Sequence, residues 1–270
     1  MDQLTLYQIR AVNDAATSEN KIHSDEIARK FGFTGALVSG VSVFGYLTHP
    51  LVKAFGEDWL SRGIADVKFI KPAYVDDLLT IKTDTVAESA HHRHCVITAL
   101  NETGELLARL ESWRPQSVPS NRSTFEPITN TSESIREEIS FERINLNQPA
   151  ADYTFTVDHA LHQGCLEIMR DGLAVYNQAN SMLVHPYYLL KECNQALMRM
   201  FVLPAWIHVG SKLIFHRSVK VGQIVTVKTT PIEKWESKGH QFIRLNIAMT
   251  VDEIHVLEVE HTAIFRISSH

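Results

Sequence analysis

The sequence of 270 residues repeats itself once, and this repeat constrains the fold more than any other feature. Residues 67–83 align without a gap with residues 213–229, so the two copies are offset by 146 positions. The identical or similar pairs in this stretch are Phe69 and Phe215, Lys71 and Arg217, Val75 and Val221, and Thr80 and Thr226. The same offset relates Asp25 to Asp171, and Val38-Ser39 to Val184-His185. The chain is therefore predicted to contain two tandem copies of one module.

Each copy is predicted to place a long buried helix before a set of antiparallel strands. In the first copy Asp25 begins a short helix that Gly32 ends, and residues 38–55 carry apolar side chains at the spacing of an amphipathic helix. Pro50 is expected to kink or end this second helix. The second copy has the corresponding helix over residues 184–201. Segments of period two, which predict strands, follow at 67–74, 78–86, 94–100 and 106–113, and again at 212–218, 224–232, 241–251 and 256–267.

A long helix with four or five antiparallel strands indicates an α+β fold in which the sheet wraps around the helix. The N-terminal module spans residues 1–116, a linker rich in Ser, Thr, Pro and Asn spans 117–140, and the C-terminal module spans 141–270. A single module of this kind leaves a sheet edge and apolar surface exposed. We therefore expect the two copies to pair edge to edge in one pseudo-twofold unit.

Composition excludes several classes of function. The formal net charge is −5 and no basic cluster offsets it, which argues against nucleic-acid binding. The N-terminus lacks the basic residues and apolar run of a secretory signal, and no uncharged apolar stretch reaches the roughly 18 residues of a membrane span, so a cytoplasmic protein is expected.

Cys95, Cys165 and Cys193 are too widely spaced for a disulfide framework or metal site, and no phosphate-binding glycine loop occurs. Neither a metal nor a cofactor is predicted.

The segment before the first long helix carries the motif with the most chemical content. It reads Asn20-Lys21-Ile22-His23-Ser24-Asp25 and continues through Ala36-Leu37-Val38-Ser39-Gly40, with Phe69, Pro72 and Asp76 at the entry to the strands. These residues resemble the hydratase segment of the MaoC-like hotdog proteins, which are the (R)-specific enoyl-CoA hydratases and acyl dehydratases. The resemblance covers most of residues 8–83 and reaches residues 180–230 more weakly through the repeat.

The resemblance implies a hotdog fold in both modules and an acyl thioester of CoA or of acyl carrier protein as substrate. The implied reaction is the reversible addition of water to a 2-enoyl group, which needs an acid/base group and N–H donors at the thioester oxygen. His23 matches the family's catalytic histidine, Asn20 its supporting asparagine, and Gly40 the glycine whose amide lines the oxyanion hole. Asp76 matches a residue near the rim of the site.

Three positions of the first copy depart from the family pattern, and one of them is Lys21, which replaces the usual proline. Ser18 stands where the family has its catalytic aspartate, and Ser39 stands where it often has histidine. A serine hydroxyl can orient water but cannot act as a carboxylate base near neutral pH, so Ser18 and Asn20 are expected to hold the water. In the second copy Met169 falls at the position of His23. That copy is predicted to be a degenerate partner that shapes the acyl tunnel.

Two other functions stay open at this level. A thioesterase on the same fold uses the same oxyanion hole but attacks the carbonyl carbon instead of the β-carbon. A protein that has lost the family's aspartate and the histidine of its His-Gly pair can also bind or assemble acyl thioesters without catalysis. Assembly of two double-hotdog chains into a homodimer is a further expectation.

Overall fold

The computed structural model of the chain describes residues 6–89, 92–116, 129–132, 135–178 and 182–268. Within the predicted linker, residues 117–128 and 133–134 lie outside these ranges. None of the helices in the described part combines the length and the apolar character that crossing a bilayer requires.

The first copy places its helices between a short opening strand and the rest of its sheet. Its elements are β1 (Leu6–Arg10), α1 (Asp25–Lys30), α2 (Gly40–Phe55), α3 (Glu57–Arg62), β2 (Ile64–Phe69), β3 (Leu78–Ser89), β4 (His92–Leu100) and β5 (Leu106–Pro115). Helix α2 is the central helix, and most of its residues from Val41 to Val52 are buried. A helix that is apolar on nearly all sides is stable only inside the protein, so the sheet has to wrap around it.

The second copy repeats this plan. Its elements are β6 (Glu137–Glu138), β7 (Tyr153–Thr156), α4 (His159–Met169), α5 (Ala174–Asn177), α6 (Pro186–Met200), β8 (Phe201–Val202), β9 (Ile207–Phe215), β10 (Ile224–Ser237), β11 (His240–Val251) and β12 (Ile254–Arg266). Helix α6 is equivalent to α2, because its first residue Pro186 lies 146 positions after Gly40.

Ten strands from the two copies form one antiparallel sheet with a symmetric order. The order is β1-β3-β4-β5-β2-β9-β12-β11-β10-β7. Equivalent strands of the two copies therefore follow each other in opposite order on the two sides of the β2–β9 pair. At the centre β2 pairs with β9, and Asp66 lies opposite Lys212. These two residues occupy the same position in the two copies, since they are 146 positions apart. An approximate twofold axis therefore passes between these two residues. The predicted edge-to-edge pairing of the copies is confirmed.

The joint between the central helix and the sheet is also repeated. An isolated bridge joins Leu37 to Tyr74 in the first copy and Leu183 to Lys220 in the second. All four residues obey the offset of 146. The repeat in the sequence thus records a repeated backbone geometry, and the α+β fold with two wrapped helices is the observed one.

Tertiary packing corrects several boundaries. Helix α2 does not end at Pro50 but continues to Phe55, because burial of its apolar side chains outweighs the hydrogen bond that proline cannot donate. Strand β2 ends at Phe69 instead of residue 74, and β9 begins at Ile207 instead of residue 212. The helices α3 and α4 and the strands β1 and β7 were not predicted. Of these, α4 does carry a local signal, since Asp158 caps it and its buried residues His162, Cys165, Leu166 and Met169 follow helical spacing.

Candidate active site

A cavity of about 220 Å³ lies between the first copy and strand β9 of the second. Its walls include His23, Gly40 and Phe69 from the first copy and Trp206 and His208 from the second. A second cavity of about 220 Å³ adjoins it. The residues that line both cavities are Asn20, His23, Ser39, Asn194 and Trp206. The motif histidine therefore lies in the wall that the two cavities share.

The His23 imidazole is held in one tautomer. Its Nδ1 lies 2.7 Å from the carbonyl oxygen of Leu37. A carbonyl can only accept a hydrogen bond, so Nδ1 carries the proton and the lone pair lies on Nε2, where it accepts a long hydrogen bond from Nδ2 of Asn20. Burial lowers the pKa of His23 below its ordinary value, although the Leu37 carbonyl and the charge of Asp14 oppose this shift. The ring is neutral at pH 7 and presents a basic nitrogen.

The Asn20 side chain ties the two copies together next to His23. Its Nδ2 donates to the backbone oxygen of Trp206 at 2.9 Å, and its Oδ1 accepts from the Trp206 N–H at 3.2 Å. The same Nδ2 lies 3.4 Å from Nε2 of His23. Oδ1 also accepts from the N–H of Ile22, so both the donor and the acceptor group of this amide already have protein partners. Asn20 positions His23 and anchors the loop, and the structure gives its amide no spare donor for a water.

Removal of this tie should destabilise the protein. In Asn20→Leu, the N–H and carbonyl of Trp206 lose their buried partners, each at a cost of about 1–3 kcal/mol. We expect the free energy of unfolding, measured with urea, to fall by about 2–4 kcal/mol. Ser18→Ala is the matched control, because it removes only the local bonds of one hydroxyl to the N–H and the carbonyl of Asn20 and leaves the tie to Trp206 in place. Equal losses in the two variants would contradict this assignment.

Helix α2 begins at the cavity. Ser39 is its N-cap and accepts a hydrogen bond from the N–H of Ser42, with φ −64° and ψ 141°. Gly40 is therefore the first helical residue, and its N–H has no partner within the helix. A Cβ added at Gly40 would lie 3.0 Å from the Phe69 ring, so glycine allows this close approach. The helix start supplies a free donor with partial positive charge at the cavity wall.

Asp14 is a site residue that the motif comparison missed. Its side chain is 1% exposed, and it lines the second cavity together with His23. The hydroxyls of Ser39 and Ser42 donate to its Oδ1 at 3.1 and 2.6 Å. Tyr187 and Lys191 of helix α6 donate to its Oδ2. The carboxylate thus joins the start of α2 to the second copy.

The partners of Asp14 keep it ionised. Burial by itself would raise the pKa of this carboxyl group, but the hydrogen bonds from Ser42 and Tyr187 and the ammonium of Lys191 outweigh burial and lower it. The resulting negative charge favours the protonated form of His23. Asp14 therefore favours the imidazolium form of His23 while it stays ionised itself.

Ser18 and Asp76, the two remaining predicted site residues, both lie outside the cavity that Gly40 lines. The Ser18 hydroxyl lines the second cavity and accepts from the N–H of Asn20 at 3.0 Å. Asp76 lies in the turn before β3 with a φ of +65°, where the second copy has Gly222. Its N–H and carbonyl bind the backbone of Ala11 and the side chain of Arg10. Asp76 is not among the residues that line either cavity, and its alignment with a glycine already indicated a turn.

His208 is the second residue that the motif comparison missed. Strand β9 has an extra residue at Val209 opposite β12, and this bulge places both His208 and Ser211 on the inner face. Ser211 Oγ lies 2.8 Å from Nε2 of His208 and 3.0 Å from Nδ1 of His261. A Cβ at Gly210 would lie 2.7 Å from the backbone oxygen of Val67, so only glycine permits the bulge to pack against β2.

Equivalent positions of the second copy do not reproduce the site. Met169 is at the position of His23 and Leu166 at that of Asn20, and both are buried. Pro186 is at the position of Gly40. Proline has no N–H, so the first turn of α6 lacks the donor that α2 offers. His185 replaces Ser39 as the N-cap and lies 3.4 Å from the carboxylate of Asp171.

Buried histidines should make the protein sensitive to acid. Burial lowers the pKa of His185 and of His208, and it lowers that of His261 to about 3. The unfolded chain binds protons at these groups below about pH 6.5 while the folded chain does not, so stability is present above this pH and falls below it. We expect His261 to contribute a loss of about 1 kcal/mol between pH 7 and 5.5, measured by urea unfolding, and His185 and His208 to add to it in the same direction. His261→Gln should show a shallower pH dependence, and an unchanged dependence would contradict the assignment.

Comparison with solved structures identifies the fold. A double-hotdog protein from Mycobacterium tuberculosis matches with a TM-score of 0.67 at 12% identity, over 98% of this chain and 96% of that chain. A protein from Chloroflexus aurantiacus that is described as a MaoC domain dehydratase matches with a TM-score of 0.65 at 11% identity, over 98% and 95% of the two chains. The chain therefore has the double hotdog fold, as the resemblance of its sequence to the MaoC-like family implied.

Thioesterases share the same architecture. A protein from Lactobacillus plantarum that is described as an oleoyl thioesterase matches with a TM-score of 0.56 at 14% identity, over 98% of both chains. No protein-family model matches the sequence, and no curated protein matches it. At these identities the likeness defines the fold, and the reaction has to be argued from the residues of the site.

Proposed function

We propose that the protein is a hydro-lyase of the MaoC-like type that acts on acyl thioesters of CoA or of acyl carrier protein. It would add water to a 2-enoyl group or remove it from the 3-hydroxyacyl form. The observation that carries this proposal is the pairing of two groups in one cavity. His23 offers a neutral, basic Nε2, and Gly40 offers the free N–H of a helix start.

The chemistry follows from these two groups. Nε2 of His23 takes a proton from water as the water oxygen bonds to C3 of the enoyl group. The electron pair of the C2–C3 double bond moves toward the thioester oxygen, where the N–H of Gly40 stabilises the negative charge. His23 then returns its proton to C2 on the same face. One residue thus serves as base and acid, so the missing carboxylate at Ser18 does not prevent a syn addition.

Asp14 supports this cycle as a positioning residue. Its charge stabilises the imidazolium that exists between the two proton transfers, and its bonds to Ser39 and Ser42 fix the start of α2. Because Tyr187 and Lys191 hold Asp14, the second copy contributes to the site without reacting itself. We propose that Met169 and Pro186 make that copy a degenerate partner, whose strand β9 shapes the tunnel for the acyl group.

Thioester hydrolysis is the second candidate, because thioesterases are among the proteins of this fold that the chain resembles. In that reaction the water activated by His23 attacks the carbonyl carbon, and the same N–H stabilises the tetrahedral oxyanion. The two reactions differ in the position of the acyl chain relative to Nε2 of His23.

Product analysis distinguishes the candidates. The purified protein is incubated with a series of 2-enoyl-CoA thioesters, and the mixture is analysed for 3-hydroxyacyl-CoA and for free CoA thiol. A 3-hydroxyacyl product supports the hydro-lyase. Release of thiol indicates the thioesterase, and saturable binding without either product indicates a protein that only binds thioesters.

A further inference from the structure

The space on either side of His23 limits the size of the substrate. The two cavities that share the wall of His23 each measure about 220 Å³. The reacting carbons lie next to the thioester, so the acyl chain and the arm of the carrier leave His23 in opposite directions, each into one cavity. An apolar cavity of about 150 Å³ holds one benzene molecule, so either space holds a chain of roughly eight carbon atoms.

The protein offers no continuation of these cavities along helix α2. Phe44, Leu47 and Leu51 of this helix are at most 2% exposed and belong to one packed core with Trp59. Protein cores contain few voids larger than a water molecule. A chain that outgrows its cavity therefore has to leave its last carbons in water, where they gain no hydrophobic stabilisation.

A third cavity, of about 560 Å³, lies between α4 and α6 and has Lys191 in its wall. Lys191 also lines the second cavity, which contains Asp14. The bonds that Tyr187 and Lys191 donate to Asp14 stand between the two spaces. Because this carboxylate is buried and held by several partners, it closes the way for an apolar chain.

The charges around His23 also restrict the acyl group. Lys71 and Lys191 are the cationic residues among the described residues that line the two cavities, since burial lowers the pKa of His23 and His208 and keeps both neutral at pH 7. Lys71 is paired with Glu105, and Lys191 with Asp14. A carboxylate on the acyl chain would therefore lose its water without gaining a free cation.

We propose that the substrate is a thioester of an uncharged acyl group with no more than about eight carbon atoms. This inference rests on the proposed function, because it places the thioester at His23 between the two cavities. Two buried valines of helix α2 border these spaces. Val43 lines the first cavity and Val41 the second, so each is positioned to set the length of what its cavity holds.

Steady-state kinetics with straight-chain 2-enoyl-CoA thioesters of four to fourteen carbons tests this inference. We expect kcat/KM to rise about two- to fourfold for each added methylene up to about eight carbons and then to stay level. An eight-carbon chain that ends in a carboxylate should react at least about 100-fold less efficiently than the one that ends in a methyl group.

A matched pair of variants tests whether the cavities set this limit. Val43→Ala enlarges the first cavity and Val41→Ala the second, each by two methyl groups, and both residues are at most 4% exposed on the same helix. The level should begin about two carbons later in the variant whose cavity holds the acyl chain and should not move in the other. Val43→Ile and Val41→Ile narrow the same cavities and should move it the opposite way, so the test does not depend on the folding of one variant.

The outcomes separate this inference from the proposed function. A rise that continues to fourteen carbons, equal turnover of the carboxylate-bearing chain, or a level that moves in none of the variants that urea unfolding shows to be folded would overturn the inference and leave the proposed function intact. If no 2-enoyl thioester is hydrated, the proposed function is overturned and this inference falls with it.

Discussion

We expect His23→Asn to lower kcat/KM for a 2-enoyl thioester by at least about 100-fold, since general acid–base catalysis contributes about 10²–10⁴. Asparagine can place its Nδ2 near the position of the imidazole Nδ1 and can keep the hydrogen bond to the carbonyl of Leu37. It has no counterpart of Nε2. The variant therefore separates the basic nitrogen from the structural bond, and steady-state kinetics measures the loss.

The pH profile provides an independent check on His23. The reaction needs the neutral ring, so kcat/KM for hydration should fall as the pH drops through a pKa that lies below the ordinary value of histidine. Asp14→Asn removes the charge that favours the imidazolium and should move this limb to lower pH. A variant His23→Asn that is folded, as judged by urea unfolding, and fully active would disprove the role of His23.

The second large effect is expected at the start of helix α2. Gly40→Pro removes the amide hydrogen that we assign to the oxyanion, and loss of one such donor costs about 10²–10³ in kcat. Proline is tolerated at the first helical position, as Pro186 shows in the second copy. The φ and ψ of Ser39, −64° and 141°, are also suited to a residue before proline. The helix should therefore form normally.

Gly40→Ala is the matched control for this substitution. Both alanine and proline add a Cβ that presses on the ring of Phe69, but only proline lacks the N–H. Proline also carries Cδ on its nitrogen in place of the amide hydrogen, so the difference in kcat between the two variants separates the change at the backbone nitrogen from the contact with Phe69. If the two variants lose activity equally, the N–H of Gly40 has no special role and the loss comes from Phe69.

The candidate site could be predicted from the sequence only where its residues lie close together in the chain. Asn20, His23, Ser39 and Gly40 were recognised because they form a local motif at the start of a helix, and the structure brings all four to the cavity. The other predicted residues fared differently. Ser18 reaches only the adjoining cavity, and Asp76 lies in a turn away from both.

Asp14 and His208 had no local signal. The acid Asp14 is unremarkable in sequence, and its bonds to Tyr187 and Lys191 span 173 and 177 residues. His208 faces the cavity because of a bulge in β9, which depends on the close approach of β2 at Gly210. Pairing between strands of different copies cannot be derived from the periodicity of either strand alone.

The sequence by itself determined the duplicated architecture, because a repeat offset and apolar periodicity are properties of the linear chain that the backbone translates directly into equivalent helices and strands. Asp66 and Lys212, which face each other at the centre of the sheet, are equivalent at the same offset of 146. The sequence also placed the candidate site in the first copy, because Met169 stands at the position of His23 in the second. Only the tertiary structure decided what surrounds that site. Those surroundings depend on groups that only folding brings together: the carbonyl of Leu37 sets the tautomer of His23, and Tyr187 and Lys191 of the second copy help to keep Asp14 ionised.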